Sequence, residues 1–325
     1  MNNEFINTTR RSVLSGLAAS AAAVGLSTRS RADARARGAT TAPVTHVNYR
    51  TVQVGEVKVF YREQGAPDAP VILLLHGFPT SGHMFRDLMP LLADRHRVIA
   101  PDLPGFGNTV APARGQFDYS FENLAKVMDG FVEALGLKRY ALYIFDYGAP
   151  TGLRLAMAHP ERVTAIITQN GNAYVEGLSK EWEPFQAYWR SPSEATRNAC
   201  RVALTDDAIH FQYEHGTPPG LLGPDGWLLD THYMNRPGAR EIQLDLILSY
   251  RTNVALYPEF QRYFREHQPP LLAAWGKNDP YFIPPGAEAY KRDLPKAQVH
   301  LLDTGHFALE THHSEIASLI QQFLA

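Results

Sequence analysis

The chain has 325 residues, 45% of them hydrophobic, and its 31 Lys and Arg against 33 Asp and Glu leave a net charge of −2. That size and composition fit a globular protein with one large core or a core carrying an inserted subdomain, and the balanced charge leaves no footprint for nucleic acid or an anionic membrane. The single cysteine, Cys200, excludes an intrachain disulfide and any metal site built from several cysteines.

The N-terminus differs from the rest. Arg10 and Arg11 precede an apolar, alanine-rich stretch from Gly16 to Leu26, and small residues follow at Ala32, Ala34 and Ala36. This pattern predicts a twin-arginine export signal over residues 1–36, removed near Arg37, so that the mature protein works in a periplasm or outside the cell. The apolar run is too short to span a bilayer, and no membrane contact is expected in the mature form.

Residues 37–171 read as the first part of a core. Val47 to Glu63 alternate apolar and polar residues around Gly55, which predicts an antiparallel hairpin. Val71 to Leu75 is a buried-strand pattern running into the loop His76-Gly-Phe-Pro79. Val98 to Pro101 is another, ahead of Asp102-Leu-Pro-Gly105, where Asp102 reads as a turn residue. Tyr140 to Phe145 is a third; Asp146 and Tyr147 follow it at once, and Gly148 to His159 has a helical pattern that Pro160 stops. Val163 to Thr168 is the next inner strand. Strands alternating with helices in this way predict a mostly parallel sheet with helices on both faces.

From 172 to 268 the pattern changes to long helical stretches rich in Trp and Tyr, with Pro-Gly turns and no inner-strand run. This reads as a helical lid inserted after the sixth strand. Residues 269–325 return to the core: an apolar run after Pro270 ends in a turn carrying Asp279, and a short strand from Val299 leads to a turn carrying His306.

Asp146 stands where a strand must bend sharply into a helix. Asp is also a favoured helix-capping and turn residue, so position alone does not make it reactive. Asp279 and His306 change the balance, because each follows a strand and the carboxyl ends of parallel strands converge on one crevice. The order nucleophile, acid, histidine is the chain order of α/β-hydrolases. A carboxylate is ionised at neutral pH, attacks without a base, and forms an ester of the substrate's carbon skeleton. That chemistry suits a saturated carbon bearing a leaving group, in an epoxide or a carbon–halogen bond, better than a peptide or an ordinary ester.

The His76-Gly-Phe-Pro79 loop, Pro101-Asp-Leu-Pro-Gly-Phe-Gly107, the Asp146 elbow and Gly305-His306-Phe307 together resemble the epoxide hydrolase and haloalkane dehalogenase branch of the α/β-hydrolase superfamily, over nearly all of the chain after the leader. The resemblance implies an α/β-hydrolase fold, with an eight-stranded, mostly parallel sheet and an inserted helical lid. It implies an oxyanion hole from the backbone N–H groups of Phe78 and Tyr147. Glycine-rich phosphate loops are absent and neither a nucleotide nor a metal cofactor is implied, and the balanced charge favours a small neutral organic substrate, with water as co-reactant. His76 reads as a loop-bracing histidine at the edge of the substrate pocket. One departure stands out: Ile144 lies two residues before the nucleophile, where the elbow usually has Gly. Either the bend is shaped differently or its neighbours are small enough to admit the side chain.

The leaving group separates the candidate reactions. An opened epoxide leaves an alkoxide that needs a proton, supplied in epoxide hydrolases by lid tyrosines; a halide needs a cradle of N–H donors. Phe78 and Tyr147 occupy positions where haloalkane dehalogenases often have Asn and Trp. Ser249-Tyr-Arg-Thr-Asn253 resembles the epoxide hydrolase segment that carries one ring-opening tyrosine, which points to Tyr250, with Tyr188 as the expected partner and Tyr213 as second choice. Helical tyrosines are more often packing residues. Trp182 and Trp189 support a dehalogenase; fluoroacetate dehalogenases resemble the loop, but they carry an Arg after the nucleophile where this chain has Tyr147. The expectation is therefore an epoxide hydrolase, with a dehalogenase as the alternative and an ester hydrolase or a non-catalytic ligand receptor behind it.

Overall fold

The computed structural model describes residues 46–325, and the export signal expected over residues 1–36 lies outside the described residues. Its framework is one eight-stranded sheet in the order β1-β2-β4-β3-β5-β6-β7-β8. The strands are β1 Asn48–Val54, β2 Val57–Gln64, β3 Val71–Leu75, β4 Arg97–Pro101, β5 Tyr140–Phe145, β6 Val163–Gln169, β7 Leu271–Gly276 and β8 Gln298–Leu302. The β1–β2 hairpin turns at Gly55 as its alternation predicts, and β2 joins β4 antiparallel. Every pairing from β4 through β3, β5, β6 and β7 to β8 is parallel.

Strands β3, β5 and β7 are apolar throughout because both faces are covered. Their side chains alternate between two cores. Leu73, Leu75, Leu142 and Ile144 face a core shared with the helices Phe121–Ala134 and Gly148–Ala158. Ile72, Leu74, Ala141 and Tyr143 face one shared with the C-terminal helix Leu309–Phe323. A strand's period of two sends neighbouring residues to opposite faces, so burial on both demands this unbroken apolar sequence.

Asp102 is more than a turn residue. It is fully buried, pairs with Arg62 at 2.9 Å, and accepts the N–H groups of Gly82 and Asn108, each at 2.8 Å. These bonds tie the loop after β3 to the loop after β4.

After β6 the chain forms the lid, whose main helices are Glu183–Arg190, Asp206–Glu214, Asp225–Met234 and Ala239–Ser249. The last helix of the expected insertion, Tyr257–His267, packs instead on the core helices Gly148–Ala158 and Pro284–Asp293. Inside the lid, Arg197 pairs with Glu241 at 2.9 Å and Asp245 at 2.8 Å, and Arg114 of the core also pairs with Asp245. No helix among the described residues is long and apolar enough to cross a membrane.

Candidate active site

The bend between β5 and its helix puts Asp146 at φ +47°, in the left-handed region that costs a residue with a side chain about 1–3 kcal/mol. Close packing holds the strain. A Cβ on Gly148 would collide with the Leu75 carbonyl oxygen, and one on Gly77 with the Asp146 carboxylate. Ile144 is admitted because Gly152 faces it: a Cβ there would lie 2.6 Å from Ile144 Cγ2. Small neighbours thus compensate for the missing elbow glycine.

The Asp146 side chain does not cap the helix. It turns towards the loop after β3, which β3–β5 pairing holds alongside, and its Oδ1 accepts the Phe78 N–H at 2.6 Å. The Tyr147 N–H also bonds the carboxylate. Burial pushes the Asp146 pKa up to about 6, while the nearby His306 and the two N–H groups hold it down. At neutral pH the group is therefore an anion, desolvated and kept charged by a small set of donors.

Asp279 and His306 meet as their strand-end positions require. His306 Nδ1 lies 2.7 Å from Asp279 Oδ2. Asn170, which follows β6 at φ +45°, donates to the same oxygen at 2.7 Å, and the Tyr281 N–H donates to Oδ1 at 2.7 Å. Asn170 is also fixed by the Gly276 N–H and carbonyl, so two strand ends hold the acid in place. Burial lowers the His306 pKa, but the charge and hydrogen bond of Asp279 and the charge of Asp146 outweigh it, and the net shift is upward. Esterification of Asp146 would remove one of those charges and loosen the imidazole's hold on a proton.

A cavity adjoins Asp146 and His306 and is walled by Phe78, Tyr147, Trp182, Phe185, Ile247 and Phe282. Beside the Tyr147 hydroxyl and the Trp182 indole, its polar side chains are Asp146, His306, Tyr250, Tyr281 and Gln212; among the described residues no Arg or Lys lines it. Tyr250 is 1% exposed and its hydroxyl makes no well-formed hydrogen bond. Burial pushes its pKa well above 10, and the Tyr257 hydroxyl and Asp146 add to the push, so it remains a protonated donor. Its ring is held by Trp182 at 4.7 Å and stacks on Trp189 at 5.9 Å.

Four expected pocket residues lie elsewhere. The Tyr188 hydroxyl accepts an Arg197 N–H at 3.1 Å within the lid. Tyr213 stacks on Phe307 and donates to Asp230 at 2.5 Å. Trp189 backs Tyr250 but does not line the cavity, and its indole N–H is taken by the Ile247 carbonyl at 2.6 Å. His76 also lies outside the lining: Nε2 accepts the Leu103 N–H at 2.8 Å, Nδ1 faces the Gly77 carbonyl at 3.0 Å, and burial lowers its pKa to about 3. It is a neutral brace, as its loop position predicts. Sequence reasoning missed Gln212, Tyr281 and the support from Asn170; Asn170 had a signal in its place at a strand end, whereas Gln212 had none. Among the described residues no three His, Cys, Asp or Glu side chains are grouped to hold a metal ion.

This chain belongs to the α/β-hydrolase fold family, whose pattern it matches over residues 70–313. It is 45% identical over 283 residues to an uncharacterized hydrolase, YNR064C, of Saccharomyces cerevisiae, covering 85% of this chain and 97% of that one. A haloalkane dehalogenase of Psychrobacter cryohalolentis is 29% identical over 287 residues, with 83% and 88% of the two chains covered. Epoxide hydrolase 2 of Caenorhabditis elegans is 24% identical over 288 residues, covering 85% and 80%. Within the family the chain falls in the branch of the haloalkane dehalogenases and epoxide hydrolases.

Proposed function

We propose that the protein is an epoxide hydrolase acting on small, neutral, largely apolar epoxides. Asp146 attacks an epoxide carbon, the C–O bond breaks, and its electron pair goes to the oxygen, which takes the Tyr250 proton. The product is an ester between Asp146 and the substrate. His306, oriented by Asp279, then takes a proton from water, and the hydroxide adds to the ester carbonyl while the Phe78 and Tyr147 N–H groups hold the oxyanion. Collapse releases the diol, and the proton on His306 restores Tyr250.

The observation that carries this reading is how the lid's donors are spent. The indole N–H of Trp182 is bonded to the Tyr281 carbonyl at 3.1 Å and that of Trp189 to the Ile247 carbonyl at 2.6 Å, so neither is free to cradle a halide. The Tyr250 hydroxyl, which an alkoxide needs, lines the cavity without a well-formed hydrogen bond, with only the Tyr257 hydroxyl acting on it from the protein side. A haloacid would further need a cation among the lining residues, and there is none.

The reading is tested with styrene oxide and a phenylalkyl bromide of similar size. Diol formation should exceed bromide release, and Tyr250→Phe should lower it about 100-fold, in the range of a lost acid catalyst, while leaving bromide release within about threefold. Bromide release without diol formation would make the protein a dehalogenase. The leader motif supports the companion proposal that the enzyme acts after export; a periplasmic or secreted form whose N-terminal sequence starts near Arg37 is the expected finding.

A further inference from the structure

Gln212 is the one polar lid residue of the cavity that neither the strand-end pattern nor the tyrosine motif accounts for. It lies in the helix Asp206–Glu214, is 4% exposed, and lines the same cavity as Asp146 and Tyr250. Its carboxamide has no hydrogen-bond partner among the described residues. The amide atoms are not sealed off but open on the cavity, where a ligand can complete their hydrogen bonds. Its neighbour Tyr213 stacks on Phe307, so this part of the lid is seated directly over the His306 turn.

Tyr281, the other unassigned polar lining residue, is a weaker candidate. It is only partly buried, its ring stands edge-on to His306, and Glu181 outside the cavity acts on its hydroxyl, so solvent can satisfy it. Trp182 is excluded because its N–H is already bonded.

Building on the epoxide hydrolase reading, we infer that the Gln212 carboxamide donates to the substrate's epoxide oxygen beside Tyr250, as a second donor that cannot ionise. The expected tyrosine pair becomes one acid and one amide. Tyr250 gives the proton; the Gln212 N–H transfers none and stabilises charge on the oxygen as the C–O bond breaks. A buried phenol that resists ionisation makes such help valuable, because the opening oxygen must carry more charge before the proton moves.

The test measures only the first chemical step, as the rate of alkylation by styrene oxide in a His306→Gln background, followed by intact-protein mass. Adding Gln212→Met, which keeps the shape and removes the donor, should slow alkylation about 10- to 100-fold. Gln212→Glu controls for a merely structural role: relative to the His306→Gln parent at each pH, its alkylation should recover as the new carboxyl gains a proton and becomes a donor, and fall as it ionises. A rate within twofold of the parent for Gln212→Met, or a pH-independent ratio for Gln212→Glu, would overturn the inference while leaving the epoxide reading intact. If the His306→Gln parent itself takes up no epoxide, the failure belongs to the proposed function, and this inference falls with it.

Discussion

Two buried carboxylate–imidazole pairs sit among the described residues, Asp279 with His306 at 2.7 Å and Asp230 with His83 at 3.4 Å. The second pair even carries a serine, since Ser81 Oγ lies 3.0 Å from His83 Nδ1. By residue type alone, Ser81, His83 and Asp230 would pass for a hydrolytic triad. Yet all three are buried and none lines the cavity that adjoins Asp146. Burial, aided by Arg62 and Arg86, lowers the His83 pKa to about 3, so the imidazole is held neutral, and burial raises that of Asp230 well above its ordinary value. In the first pair the carboxylates overcome burial and raise His306. The contrast teaches that such a pair becomes a site only where a reactant can reach it. Elsewhere the same groups are packed into the seam between the lid, here the helix Asp225–Met234, and the loop after β3.

Substitutions can break this contrast. Asp146→Asn should lower epoxide turnover at least about ten-thousand-fold with the fold retained, because no other group supplies a charged nucleophile; diol formation beside a melting curve would check it. His83→Ala should do the reverse. It leaves Ser81 Oγ short of a partner and opens a cavity, and should cost roughly 1–3 kcal/mol of stability, while turnover per folded molecule stays within about threefold. Urea titration and active-fraction-corrected kcat would measure both, and a collapse of turnover at unchanged stability would mean that the second pair takes part in the chemistry.

Acidity sharpens the same comparison with a smaller effect. Asp146 attacks only as an anion, and its pKa lies near 6. Below that value the alkylation rate should fall about tenfold per pH unit, and above it the rate should level off. Because burial raises this pKa above its unfolded value, the folded state holds the proton more tightly than the unfolded chain does. Asp146 thus weakens stability as pH rises through this range and is relieved as pH falls. A rate of ester formation that is flat from pH 7 to well below 6 would remove Asp146 as the titrating nucleophile.

The core's site residues were legible because local order fixes them. An apolar run followed at once by Asp146, a second ending in the turn that carries Asp279, and a short strand leading to the turn that carries His306 put each near a parallel strand's carboxyl end, whatever the lid does. The lid offered no such rule. Its helices are wrapped by aromatic and polar residues on several sides, and the inward face depends on tertiary partners absent from a single segment. Tyr213 and Gln212 show the limit: adjacent on one helix, they are rotated by about 100° about its axis, so Tyr213 turns to Phe307 and Asp230 while Gln212 faces the cavity. Tyr188 was likewise claimed by Arg197, a pairing that no periodicity reveals. Tyr250 was found because a resemblance to a motif, rather than a helical pattern, marked it.

The most direct measurement is a single turnover of styrene oxide by excess enzyme in heavy-oxygen water. If the substrate passes through an ester of Asp146, the first diol released carries the carboxylate's own light oxygen, and the peptide containing Asp146 gains one heavy oxygen. Heavy oxygen in the first diol, with an unlabelled Asp146 peptide, would show that water attacks the substrate directly and would contradict the account.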